Sequence, residues 1–539
     1  MNSLVSSKCA RRLFMALAAI SGIFLTASCG NGSNFTPPNN QGFSNSSLNG
    51  TYVFSSQGFD STVGAPLNIA GTLVANGTGS ITGGTIDVVD AANANPPTPA
   101  GQAITGGTYS IGSDGRGLIN LVSSAYGTVS LDVVLSSTSQ GLVTEFDNFG
   151  GGSGTIDLQA VVSDLAGPYA FSLAGTDSQD DPIAAAGAFT LNAGGSITEG
   201  VEDFNDSGIN YAGQALTGAA TLGTGTAPGP LTLTTASFAL SYDLYPIDTT
   251  HFKVIETDYA NYLAGDIFTQ TGFSTIPAGT LAFTMLGGIG TSNTIANGGY
   301  MTFSGNTFTG NEDVNANGNV STSPVPFTGS AAAGGSIGSR SLVSLTAFVP
   351  ATSWVVYPSS GGLLMLENDD QAVTNGAAYA QTSGAALAAS QGYGLNLSAF
   401  NPTQGYVEDD IAQFDTTSTA FNGIIDINDN TGGGNSLNSV GLGATYTLDS
   451  SPATGRGEAV TTAGGDDYIS FTFYAVTNSQ FLLLETDGTT GPVGAQIGTG
   501  TFLLQSGSAG VAAAQSHAAI MHPVVHPRAA HTHRASQKK

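Results

Sequence analysis

Apolar and polar positions alternate along most of this chain in short runs rich in Val, Ile, Thr, Phe and Tyr. Clusters of Gly, Asn, Asp and Ser interrupt them about every 10 to 15 residues. A period of two sends successive side chains to opposite faces of a strand, and the clusters supply residues that tolerate turn geometry. The segments "GTYVFSSQGF", "LNIAGTLVANG", "GSITGGTIDVVD", "AITGGTYSIG", "GLINLVSS", "GTVSLDVVLSS", "GLVTEFD" and "SGTIDLQA" predict about eight strands within the first repeated stretch. No window carries a convincing helical period beyond the N-terminal apolar run, apart from alanine clusters near Ala385 and Ala512.

The pattern recurs four times. "GTYVF" from Gly50, "GPYAF" from Gly167, "GTLAF" from Gly279 and "GYGLN" from Gly392 open the units, at intervals of 117, 112 and 113 residues. In each unit an apolar run ends in Glu and Asp two apart: Glu145 and Asp147, Glu256 and Asp258, Glu367 and Asp369, Glu485 and Asp487. A glutamine closes each unit, at Gln159, Gln270, Gln381 and Gln505. Several anchors recurring in one order mark tandem repeats, here residues 48–164, 165–275, 276–386 and 387–508. Units of this length can bury a core of their own, and consecutive hairpins favour antiparallel pairing. The expected fold is all-β, each repeat an antiparallel meander of about eight strands. A small barrel closes its own edges without disulfides; a sandwich is the alternative.

Residues 1–28 read as an address rather than as fold. Lys8, Arg11 and Arg12 form a basic region, Leu13 to Leu25 is apolar but short for a membrane span, and Thr26, Ala27 and Ser28 precede Cys29. This resembles the lipobox of bacterial lipoproteins, with Thr26 where that family prefers leucine. The resemblance implies cleavage before Cys29 and acylation of its thiol and new amino group. Because Gly30 is not the aspartate that retains such proteins at the inner membrane, it also implies outer-membrane anchoring, with periplasmic or surface display. Ordinary secretory cleavage nearby is the alternative. The repeats themselves are similar to those of other envelope lipoproteins, a likeness that carries no mechanism. Residues 29–47 form a Gly, Asn, Ser and Pro tether, and 509–539 a basic tail holding His517, His522, His526, His531 and His533. Cys9 leaves with the signal and Cys29 takes lipid, so no disulfide is expected.

Charge sharpens the partition. All 38 acidic residues lie in the repeats, which carry only Arg116, Lys253, Arg340 and Arg456 as bases, so their formal charge is 4 − 38 = −34. Such a surface disfavours nucleic acid and anionic lipid as partners; membrane contact is expected through the N-terminal lipid, and a protein or glycan partner stays open.

One acidic turn per unit approximates the start of a calcium loop: "DVVDAAN" from Asp87, "DFNDSG" from Asp203, "DVNANG" from Asp313 and "DINDNTG" from Asp426. Asp203, Asn205, Asp313, Asn315, Asn317, Asp426, Asn428 and Asn430 are the candidate ligands. The twelfth position, where a bidentate Glu belongs, is Pro324 or Leu437, so a hairpin turn is the stronger reading and no cofactor is expected beyond calcium as a candidate.

The body's arginines recur as well: Arg116, Arg340 and Arg456 stand 29, 27 and 29 residues before Glu145, Glu367 and Glu485. The spacing suggests an Arg–Glu pair in three units, with Ala227 at the matching place in the second. The Glu and Asp pairs invite a glycosidase reading, but fourfold repetition argues against one catalytic centre, and His251 is the body's lone histidine. The expectation is a non-catalytic envelope lipoprotein, a spacer or adhesion-type repeat protein. The alternative is a ligand-binding lipoprotein with small-molecule or glycan sites, with Trp354, Tyr357, Phe473 and Tyr474 as sugar-stacking candidates; a hydrolase ranks last.

Overall fold

The computed structural model describes residues 41–507, apart from 61–63, 93–100, 148–149, 271–275, 291–292, 403–404, 430–434, 450–453, 462–468 and 490–493. Cys29, Asn430 and the tail from residue 509 lie outside the described residues.

Four antiparallel barrels follow one another along the chain. The first runs through Asn49–Asp60, Ala65–Asn76, Ser80–Asp90, Gln102–Ile111, Arg116–Ser123, Gly127–Leu135, Gln140–Phe146 and Gly150–Leu158, and closes where Tyr52 pairs Leu158. The fourth repeats this plan from Gly392–Asn401 to Ile497–Leu504, with Tyr393 opposite Leu504. In the second barrel the fourth strand is split at Leu216 into Ile209–Ala215 and Thr217–Ala220; the two pieces pair opposite neighbours, and a bridge from Ser196 to Ala219 completes the ring of strands. In the third, Asn293–Ser304 pairs Thr307–Ala316, which pairs Val325–Ala333, so eight strands again close. The barrel is therefore the architecture, not the sandwich.

An eight-stranded barrel is just wide enough for its inward side chains to fill. Each one does so with its own apolar cluster. The fourth is packed with rings: Phe481 lies 4.6 Å from Phe502, Phe414 4.7 Å from Phe421, and Phe473 5.6 Å from Phe502. At the closing seam of the first barrel the backbones approach so closely that a Cβ on Gly154 would lie 1.8 Å from Ser55 O. Only glycine fits there.

The outer faces of the first and last strands of each barrel are not left to water. The first three strands of one barrel pack on the last three of the next, first on second and second on third, and the first two strands of the third pack on the last three of the fourth. The first two strands of the fourth barrel then pack on the last three of the first. The four barrels thus form a closed ring with heterologous joints, within one compact unit. A large apolar cluster, including Ala184, Ala186, Ala188, Val355, Leu364, Leu366, Leu482 and Leu484, runs through the joints of the second, third and fourth barrels. Smaller ones hold the first barrel to its two neighbours. Strands in the joints are buried on both faces, as in His251–Glu256 and Gly392–Asn401.

The chain enters and leaves this ring at one joint. Gln41 donates to Asp415 of the fourth barrel at 3.0 Å and to Ser113 O of the first at 2.9 Å, and a Cβ on Gly507 would lie 1.7 Å from Gln41 O.

Candidate functional site

The repeated polar anchors meet in the joints between barrels. Asp203 and Asn205 are two apart on one strand of the second barrel, so both project outward, while Glu202 and Phe204 turn inward. Asp203 takes Arg340 Nε of the third barrel at 2.6 Å, Arg340 Nη2 and the Tyr357 hydroxyl. Asn205 Nδ2 donates to the carbonyls of Glu367, Asp369 and Ala372 at 3.0 to 3.3 Å. One joint further on, Asp313 holds Arg456 Nε at 2.7 Å and the Tyr474 hydroxyl at 2.6 Å, and Asn315 Nδ2 reaches the carbonyls of Glu485, Asp487 and Gln496. At the closing joint Asp426 meets Arg116 Nη1 of the first barrel at 3.4 Å, and Asn428 donates to Glu145 O and Gly150 O. The first joint departs from the others: Asp87 accepts the Tyr245 hydroxyl, and Val89 stands apolar where the others have asparagine.

The unit-closing glutamines clasp the same joints. Gln159 donates to Pro246 O, Gln270 to Gly338 O and Pro358 O, and Gln381 to Thr454 O and Ala475 O. Gln505 of the fourth barrel returns to Asp114 O and Leu135 O of the first, at 2.8 and 2.9 Å.

These contacts correct the calcium reading. Asp203 and Asp313 are occupied by guanidinium groups and Asp426 meets Arg116, while Asn205, Asn315 and Asn428 present amide donors, not oxygens, to their neighbours. Asn317 and Gly318 form the expected hairpin with φ of 50° and 81°, and a Cβ on Gly318 would meet the Ala495 Cβ of the next barrel at 2.3 Å. Among the described residues no three His, Cys, Asp or Glu side chains gather to hold a metal.

The Arg–Glu pairs are corrected too, and register gives the reason. Cross-strand partners share a face. Arg116 pairs Val134, which points outward to the fourth barrel, whereas Glu145 pairs Leu131, which points into the core. Arg456 pairs outward Tyr474, and Glu485 pairs inward Phe471. Arg340 precedes Ser341, the partner of inward Val356, while Glu367 pairs inward Trp354. Each arginine and glutamate therefore lie on opposite faces of one sheet.

The glutamates and their aspartates brace hairpins. Glu256 accepts Asn261 N–H at 2.7 Å and Glu367 accepts Ala372 N–H at 3.0 Å. Asp147, Asp258, Asp369 and Asp487 accept the backbone N–H of Ser130, Ser241, Thr352 and Ser470, each 17 residues earlier. Burial holds the carboxyls of Glu145, Glu367 and Glu485 well above the usual range and pushes Glu256 to about 9 and Glu202 to about 8. In Asp369 burial acts the same way, but hydrogen bonds from Gln371 and Thr352 prevail and lower it.

His251 is engaged by a carboxylate of its own barrel. Its Nε2 lies 2.6 Å from Asp266, which Lys253 also meets at 2.8 Å, all three buried. The sugar-stacking candidates are buried as well: Trp354 and Phe473 fill cores, and Tyr357 and Tyr474 bind the joint aspartates.

No protein-family model matches the chain, and no curated protein matches it. Two similar solved structures are mutants of the vaccine antigen transferrin binding protein B from Haemophilus parasuis. The first is 12% identical over 70% of this chain and 82% of that one, with a TM-score of 0.15; the second is 10% identical over 88% and 99%, with a TM-score of 0.16. Likeness at that level carries no argument about fold or function.

Proposed function

We propose that this chain is a lipid-anchored envelope protein of the outer membrane and serves as a non-catalytic spacer or adhesion-type platform. One observation carries the reading: the polar anchors that recur in the repeats are spent on holding four barrels in a closed block. Repetition is then a requirement of assembly, with no need for four ligand sites. The ring-filled interior of the fourth barrel favours this over a small molecule held within that barrel. The docking of Gln41 at one joint is compatible with a block that hangs from an N-terminal anchor. Replacing Cys29 with Ser should move the protein from the membrane fraction to the soluble fraction. Persistent membrane association of that variant would overturn the anchoring.

A further inference from the structure

The joint that closes the ring is built from other side chains than the two joints that share the large apolar cluster. The second strand of the second barrel carries Ala184, Ala186 and Ala188 on its outer face, whereas that of the fourth carries Asp409, Ile411 and Gln413. On the receiving side the cross-strand pair Val355 and Leu366 of the third barrel is replaced by Asp132 and Thr144 in the first. Among the described residues the apolar clusters of the closing joint are Val134, Leu142, Ile411 and Leu503, and the pair Phe59 and Val407. Little apolar area is therefore removed from water there.

Its polar groups do not make up the difference. Asp132 Oδ2, Asn396 Oδ1 and Gln413 Oε1 are buried without a hydrogen-bond partner, and burial pushes the Asp132 carboxyl up to about 8 and that of Asp409 to about 7. Such atoms weaken the closed state, because opening returns them to water. The ion pair is looser as well: Arg116 and Asp426 stand 3.4 Å apart with side chains 18% and 11% exposed, against 2.7 Å and 4% each for Arg456 and Asp313.

Connectivity points to the same joint. The other three are each crossed by the segment that links consecutive barrels, 159–166, 270–278 or 381–391, which keeps their two sides close when contacts break. The closing joint has only non-covalent straps near the chain ends, Gln41 on Asp415 and Ser113 O, and Gln505 on Asp114 O and Leu135 O. We infer that the ring opens at the joint between the fourth and first barrels while the other three stay closed, so that the closed block exchanges with an open row of four folded barrels.

Thiol labelling tests this on the full chain, since Cys9 and Cys29 are its only cysteines and both can be changed to Ser. In that background Val134→Cys places one thiol in the closing joint, and Val89→Cys, Val355→Cys and Val476→Cys place one in the first, second and third joints; all four valines are at most 2% exposed. Under native conditions, with each rate taken relative to that in denaturant, Val134→Cys should label at least about tenfold faster than the other three. Adding Gln505→Ala should speed labelling of Val134→Cys further and leave that of Val355→Cys unchanged. Similar rates at all four positions, a faster rate at one of the other three, or an equal effect of Gln505→Ala on both thiols would overturn the inference. If Val134→Cys does not fold, Leu142→Cys, fully buried on the adjoining strand of the same joint, takes its place.

Discussion

Arg340 Nε of the third barrel lies 2.6 Å from Asp203 Oδ2 of the second, while Glu367 of its own barrel faces the core on the other side of the sheet. Arg340 and Asp203 are both buried, so removing one strands the other. Arg340→Ala should cost about 3 to 5 kcal/mol in denaturant unfolding. Paired with Asp203→Asn it should lose clearly less than the sum of the single losses, whereas with Glu367→Gln the losses should add to within about 0.5 kcal/mol. Strong coupling to Glu367 would mean that the pair within one barrel exists after all.

The closing glutamine predicts a milder effect. Gln505→Ala removes both donors to Asp114 O and Leu135 O at the joint that completes the ring. Leaving those carbonyls unpaired should cost about 1 to 3 kcal/mol, read as a lower urea midpoint. A midpoint equal to that of the unaltered chain would show that the clasp does not hold the ring shut.

Acid should stabilise this protein. Burial raises the folded-state values of Glu202 and Glu312 to about 8 and of Glu256 to about 9, and holds Glu145, Glu367 and Glu485 well above normal. The folded state then keeps protons that the unfolded state releases above about pH 4.5. Their contribution is full below that pH and is lost as pH rises through 8 to 9, so stability falls with rising pH across the window. Asp266 and Asp369, lowered despite burial, act in the opposite sense only in stronger acid. The melting temperature should be higher at pH 5 than at pH 8.5; a rise between the two would refute the argument.

Two glycines separate backbone strain from a joint contact. A Cβ on Gly305, at φ 63°, meets nothing within 4 Å, while one on Gly318, at φ 81°, meets Ala495 of the next barrel at 2.3 Å. Gly305→Ala should cost about 1 to 2 kcal/mol, the left-handed penalty alone. Gly318→Ala should cost more, with early exposure of the joint between the third and fourth barrels to protease. Equal losses would place the hairpin tip away from that joint.

The sequence by itself determined the strands, the hairpins and the fourfold repeat, because these rest on local rules: alternation with period two, turn residues such as Asn317 and Gly318, and anchors at fixed intervals. It also exposed the odd unit, the second, which has no arginine; counting back from Glu256 pointed to Ala227, whereas the register, with Gly229 opposite Leu244 as Gly457 is opposite Phe473, sets Pro228 in that place. What it could not assign was partnership. An outward Asp two residues before an outward Asn reads equally as a calcium loop or as one strand face, and only the neighbouring barrel distinguishes them. Arginine and glutamate 27 to 29 residues apart looked like partners, yet the cross-strand register sets Arg340 and Glu367 on opposite faces. One signal for the joints was present, in runs such as "FLLLE" and "PIAAAGAF" that do not alternate. Strands buried on both sides lose their polar face, as in Pro182–Leu191 and Gln480–Glu485. Which barrel covers that second face, and that the fourth returns to the first, follows from contacts between residues hundreds of positions apart, as between Gln505 and Asp114. Those contacts exist only once the ring has closed.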